Sequence, residues 1–161
     1  MNLLLMYHAE AETRQASAVE FDAERPLSPR GKRQARRVAD ALAAVAMSPG
    51  KVLSSPFIRA QETAHVVAAS SGSDIAVEPI TLLAPGVGTR DVLDVALNDG
   101  AESGWTLIVL HEPDVSTLIN ELIGLNATVE PGDVFAVRTH TADGRTSGRL
   151  LFSLASAIDE N

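Results

Sequence analysis

Cysteine is absent from this chain, which excludes disulfides, thiolate nucleophiles and cysteine-ligated zinc or iron–sulfur centres while leaving the compartment unassigned. Basic residues are in deficit: 13 Lys and Arg stand against 21 Asp and Glu, for a formal net charge of -8. That balance favours solubility and opposes non-specific attachment to nucleic acid or to an anionic membrane, so neither is expected as a partner; a local basic pocket can still persist inside an acidic envelope. Long hydrophobic runs are missing as well. Residues 1–6 are largely apolar but carry no basic n-region, and the run stops at Tyr7-His8, short of a signal peptide or a membrane span. A cytoplasmic location is the expectation. There is no internal repeat and no low-complexity tract. What the chain does have, 161 residues with 45% hydrophobic content, suits a single compact domain over residues 1–161 with a real core. Oligomeric state is not legible.

Short apolar runs alternate with helical patterns. Leu3 to Met6 reads as a central strand buried on both faces, as parallel strands in α/β proteins are. Residues 9–24 carry Glu10, Glu12, Glu20, Asp22 and Glu24 without an apolar period and read as a long loop on the ligand side. Ser28-Pro29 opens a helix with a capping hydroxyl and a proline, and Ala35, Val38, Ala39, Leu42 and Val45 form its apolar face. Arg33, Arg36 and Arg37 lie on its wet face as an ordinary solvated surface. Lys51 to Ser54 is a second strand, and Ser55-Pro56 repeats the cap-plus-proline signal before a helix to about Ala69. After a break at residues 70–73, Ile75 to Val77 is expected as a short strand, residues 82–88 as a loop, and Thr89 as the cap of a helix through Leu97. Thr106 to Leu110 is the clearest buried strand, with a helix starting at Pro113. Val134–Arg138 and Arg149–Leu154, separated by the turn signal Asp143-Gly144, read as an antiparallel addition. The fold class is therefore α/β: a mostly parallel central sheet flanked by helices on both faces, extended by C-terminal antiparallel strands.

Three cationic or titratable residues, His8, Arg59 and His111, each closely follow a strand run. In an open α/β sheet the crevice beyond the strands' carboxyl ends binds ligands, so these three can share one pocket suited to phosphate. Arg59 falls in the first turn of its helix, where the dipole opposes a cation that has no anion to hold. A histidine without such company is usually an ordinary residue, and His65 and His140 are read that way.

Met6-Tyr7-His8-Ala9-Glu10 resembles a variant of the Arg-His-Gly motif that opens the histidine phosphatase superfamily. Residues 25–31 (Arg-Pro-Leu-Ser-Pro-Arg-Gly), 54–63 (Ser-Ser-Pro-Phe-Ile-Arg-Ala-Gln-Glu-Thr) and 111–116 (His-Glu-Pro-Asp-Val-Ser) follow in that family's order, and together they are similar to its small SixA-like phosphohistidine phosphatases, with a phosphoglycerate mutase-like fold. The resemblance implies phosphoryl transfer through a covalent phosphohistidine on His8, with His111 and Arg59 holding the transferred oxygens. The substrate it implies is a phosphorylated protein or a small phosphorylated compound. It implies no cofactor and no metal, the chain's own cations meeting the developing charge. Glu112 is a candidate general acid, with the alternative that it merely complements a helix N-terminus; Glu10 and Glu12 are poorer candidates.

Two departures bear on competence. The motif arginine is Tyr7 and the motif glycine is Ala9. A neutral hydroxyl in place of a bidentate fork costs on the order of 3 kcal/mol of transition-state stabilisation, roughly a hundredfold in rate. Arg25 could bring a guanidinium into the vacancy, or be an ordinary loop arginine. Two readings therefore stay open: a working phosphatase, or a weak or inactive relative that binds an anionic ligand or a partner protein. The acidic covering loop favours a single phosphoryl group on a neutral or cationic carrier over a polyphosphate.

Overall fold

The computed structural model describes residues 1–70, 74–86, 88–101 and 103–155. Its centre is a six-stranded sheet of β1 (Asn2–Tyr7), β2 (Lys51–Ser54), β3 (Val77–Pro79), β4 (Trp105–Leu110), β5 (Val134–Ala142) and β6 (Arg145–Leu154), in the order β3-β2-β4-β1-β5-β6. The pairs β3-β2, β2-β4 and β4-β1 are parallel, whereas β5 and β6 are antiparallel additions beside β1. The helices are α1 (Arg14–Ser17), α2 (Pro29–Ala44), α3 (Ile58–Ala69), α4 (Thr89–Asp99) and α5 (Asp114–Ile123). This is the mostly parallel α/β architecture expected from the alternation of strand and helix patterns. None of the described helices is long and apolar enough to cross a membrane.

Both faces of the sheet are covered, which is why its strands read as continuous apolar runs rather than alternating ones. Period-two geometry sends Leu4 and Met6 of β1 and Leu107 and Val109 of β4 to one face, where they meet Val38 and Leu42 of α2 and Ala64 and Val67 of α3. Leu3 and Leu5, with Ile108 and Leu110, point to the other face against Val92 and Val95 of α4 and Leu118, Ile119 and Leu122 of α5. Ser28 caps α2 by accepting from the Gly31 N–H, with Pro29 at the first position.

Several local expectations are corrected. Ser55 does not cap α3: the helix begins at Ile58 with Phe57 as its cap residue, and the Ser55 hydroxyl accepts from the Phe57 N–H ahead of the helix while bonding to His111. The strand expected at Ile75 to Val77 is Val77–Pro79, a short edge pairing only with β2, with Ile75 half-buried against the core ahead of the strand. Val45 sits at the C-cap of α2 and is 55% exposed, past the apolar stripe. Gly88, not Thr89, precedes α4; the Thr89 hydroxyl donates across to the Glu121 carboxylate. The covering loop holds α1, a 3-10 turn at Asp22–Glu24 and a bridge between Ala11 and Leu27. A further 3-10 turn, Thr81–Leu83, takes in the first two residues of the expected loop at 82–88. The hairpin is longer than expected, with Asp143 and Gly144 at φ 51° and 72° making its turn. Of the expected break at 70–73, residues 71–73 lie outside the described residues.

Candidate active site

Register places the site. Tyr7 of β1 pairs with Leu110 of β4, so the next residue on each parallel strand, His8 and His111, emerges side by side at the sheet's carboxyl edge. Adjacent strands lie about 4.8 Å apart, and the two imidazole centroids are 4.9 Å apart. Ser54 of β2 pairs with Val109, which brings Ser55 to the same edge from the far side of β4. The His8 N–H donates to the Leu110 carbonyl at 3.1 Å. From the opposite side the Gly132 N–H is shared by the Tyr7 and His8 carbonyls, both at 3.1 Å. Gly132 has φ 90°, a conformation that glycine alone adopts without strain.

His8 has a defined tautomer. Its Nδ1 lies 2.7 Å from the Ala9 carbonyl, to which it can only donate, and its Nε2 accepts from the Arg59 Nε–H at 2.9 Å. Burial lowers its pKa to about 4, with Arg59 and Arg25 pushing the same way against the Ala9 hydrogen bond. His111 is likewise lowered, to about 3, by burial first and then by His8 and Arg59. Both rings are therefore neutral at physiological pH. The His111 Nε2 lies 2.7 Å from the Ser55 hydroxyl, and the Phe57 ring stands edge-on to His111 at 5.2 Å while lying 4.8 Å beneath the Arg59 guanidinium.

The guanidiniums converge through a single carboxylate. Arg59 donates through its terminal nitrogens to the Asp22 carbonyl at 2.8 Å and to one Asp22 carboxylate oxygen at 3.0 Å. The other Asp22 oxygen accepts from the Arg25 Nε at 2.8 Å, and Arg25 also donates to the Glu12 carbonyl at 2.9 Å. Burial would raise the Asp22 pKa, but Arg59 and Arg25 outweigh it and hold the carboxyl below its usual range. Tyr7, His8, Asp22, Arg25, Phe57, Arg59, His111 and Glu112 line one cavity of about 520 Å³. Six residues singled out in the sequence as site candidates are therefore on its wall, as is Glu10, whereas Glu12 is not among the lining residues.

Three placements add detail to the sequence expectations. The Arg59 fork is not open in this structure, because Asp22 and His8 already take hydrogens from all three of its nitrogens. Glu112 faces the cavity, but one of its oxygens accepts from the Ser116 N–H in the first turn of α5 at 2.9 Å. Tyr7 stands edge-on to His8, with centroids 4.6 Å apart; burial, and then Glu112, raises its pKa, so it presents a neutral hydroxyl. Asp22 and Ser55 were not anticipated as site residues. Only the hydroxyl directly beyond a strand carried a signal, and a capping motif explained it equally well.

The remaining motif side chains tie the site together. The Thr63 hydroxyl accepts from the Ala9 N–H at 3.1 Å and donates to the Arg59 carbonyl at 2.7 Å, linking the turn after His8 to α3. Glu62 accepts from the Leu27 N–H at 2.7 Å, Gln61 donates to the Pro56 carbonyl at 2.7 Å, and Gln34 accepts from the Glu10 N–H at 3.0 Å. Gly31 allows the closest approach: a Cβ there would stand 1.9 Å from the Glu10 carbonyl oxygen.

Comparison with known proteins gives the family and the fold. The sequence pattern of the histidine phosphatase superfamily (branch 1) matches residues 3–81. A phosphohistidine phosphatase SixA homolog of Haemophilus influenzae is 33% identical over 136 residues, covering 77% of this chain and 78% of that protein. The chain belongs to the histidine phosphatase superfamily. Among solved structures, the protein histidine phosphatase SixA complexed with tungstate superposes with a TM-score of 0.80 at 24% identity, over 97% of each chain. The alpha-ribazole phosphatase from Shigella flexneri superposes with a TM-score of 0.71 at 23% identity, over 100% of each. At that identity the two structures speak to the fold.

Proposed function

We propose that this protein is a phosphatase that removes a phosphoryl group from phosphohistidine in a protein, or from a small phosphorylated compound, by way of a phosphohistidine on His8. The observation that carries the proposal is the neutral His8 imidazole, fixed with Nδ1–H on the Ala9 carbonyl and Nε2 free of a proton, in a cavity with His111, Arg59 and Arg25. A lone pair aimed into a cationic pocket is what attack on phosphorus requires. Kinship supports the same reading, since relatives in sequence and fold are named as phosphatases.

In this scheme Arg59 turns its Nε–H from His8 to the phosphoryl oxygens. The His8 Nε2 then bonds to phosphorus as the bond from phosphorus to the leaving nitrogen or oxygen breaks. His111 and Arg25 meet the charge on the equatorial oxygens, Arg25 doing part of what the family's motif arginine does at the position of Tyr7. The leaving atom takes a proton from water or from the Glu112 carboxyl. Water then attacks phosphorus, regenerating neutral His8 and releasing inorganic phosphate. Glu10 and Asp22, the covering-loop carboxylates on the cavity wall, favour a singly phosphorylated, neutral or cationic carrier over a polyphosphate.

The test is phosphate release from a phosphohistidine peptide and from a nucleoside triphosphate by the wild type, His8→Ala and Arg59→Ala. The expected result is release from the peptide with the higher kcat/KM, lost in His8→Ala and lowered in Arg59→Ala; equal release by His8→Ala contradicts it. The second reading, a relative that binds anions without turnover, draws on Tyr7 and on the engagement of both arginines by Asp22. It would show phosphate binding with no release, and release restored by Tyr7→Arg.

A further inference from the structure

Asp22 takes no part in the transfer steps above, yet it bonds to both guanidiniums of the pocket. It belongs to the covering loop, in the 3-10 turn between Phe21, which is 58% exposed, and Arg25. Its side chain is 47% exposed, whereas that of Arg59 is 6% exposed, so a residue at the surface reaches inward to a buried cation. Its two carboxylate oxygens are divided between the two guanidiniums, at 2.8 Å and 3.0 Å, and its own carbonyl takes a third guanidinium hydrogen at 2.8 Å. A guanidinium offers five N–H donors. Arg59 spends one on His8 and two on Asp22, in a geometry that also places a donor against the lone pair of the proposed nucleophile.

A carboxylate between two arginines presents the oxygens, charge and spacing that a phosphoryl group would present to them. We propose that Asp22 is an internal anion that holds Arg25 and Arg59 while the pocket is empty, and that an incoming phosphoryl group must displace it to bind. This rests on the reading that the pocket takes a phosphoryl group. The arginines are then paired in both states, which spares the empty protein two adjacent uncompensated guanidiniums. Ligand affinity is reduced by the fraction of molecules in which Asp22 holds on. Displacement also moves the covering loop, because Asp22 is fixed to that loop by its own backbone, and it leaves Arg59 able to turn from His8 toward phosphate. A residue that merely aligned the arginines for the ligand would have the opposite effect on affinity, since its loss would leave them disordered.

The experiment is titration of inorganic phosphate into the full chain by calorimetry at pH 7.5, for the wild type, Asp22→Asn and Glu20→Gln. Glu20 is a carboxylate of the same loop whose backbone carbonyl, rather than side chain, accepts from Arg14, so its variant removes the same charge without touching the arginines. The expected result is that Asp22→Asn binds phosphate about fivefold more tightly or better, the order expected for releasing partly exposed ion pairs, while Glu20→Gln stays within about twofold of wild type. Unchanged or weaker binding by Asp22→Asn overturns the proposal and leaves the phosphoryl pocket standing. Equal tightening by Glu20→Gln also overturns it, assigning the effect to the general field of the loop. Absence of phosphate binding in all three overturns the pocket reading and this one with it.

Discussion

Acidification from pH 7.5 to 5.0 is expected to remove about 4 kcal/mol of folding stability through the two site histidines. Each has an unfolded value of 6.5, and the fold lowers His8 to about 4 and His111 to about 3. A histidine whose folded pKa is depressed is penalised when the unfolded chain takes up a proton and the native state does not, so stability falls as pH drops below 6.5 and goes on falling until the folded values are reached. At pH 5.0 the deficit is about 1.5 units for each ring, or about 2 kcal/mol each at 1.36 kcal/mol per unit. Both residues are buried, at 6% and 3% exposure, so solvent screening discounts little of this. Asp22 has its pKa held low and contributes only at more acidic pH, whereas buried Asp114, whose pKa is raised, works in the opposite direction as pH falls. Urea unfolding at the two pH values measures the change, and a His8→Asn, His111→Gln double variant should lose most of it. Stability flat to within about 1 kcal/mol in the wild type, or the full loss retained in the double variant, would refute the reasoning.

Gly31→Ala places a Cβ 1.9 Å from the Glu10 carbonyl oxygen, so it should cost about 3 kcal/mol in urea unfolding by pushing α2 off the turn that follows His8. Ser55→Ala removes the 2.7 Å partner of the Nε2 of buried His111 and should cost about 1–2 kcal/mol by the same measure. Tyr7→Arg restores a charged fork on the cavity wall and should raise the single-turnover rate on a phosphohistidine peptide about a hundredfold; an unchanged rate would mean that Arg25 already fills that role.

Much of the fold was legible because burial on both faces leaves an unmistakable mark: Leu3 to Met6, Val52-Leu53 and Leu107 to Leu110 are apolar without alternation, and each lies in a strand of the parallel part of the sheet. The edge strand β3 was harder. It has a single neighbour, and of the apolar residues that marked it only Val77 is in the strand, Ile75 being half-buried against the core ahead of it. The convergence of His8, Arg59 and His111 could be read from their positions just beyond three strands, which parallel pairing makes neighbours. Asp22 could not. Its charge argues against a phosphate pocket, and its loop has no periodicity, so only the folded chain reveals that the carboxylate lies between two arginines. Ser55 was misread for a different reason: a Ser-Pro pair ahead of a helix satisfies the rules for a cap, and the competing demand of a buried imidazole is not local in sequence. Arg25 stood as one of two alternatives, and its place on the cavity wall comes from the turn at Asp22–Glu24.

The central claim, that His8 carries the phosphoryl group, is tested most directly by mixing enzyme with stoichiometric phosphohistidine peptide, quenching in alkali within milliseconds to seconds, and mapping phosphate on the enzyme's peptides by mass spectrometry. The account predicts an alkali-stable, acid-labile phosphate on His8 that forms and decays as inorganic phosphate appears, and that is absent from His8→Ala. Phosphate release from the wild type with no phosphoenzyme at any time, or with the label on another residue, would contradict it.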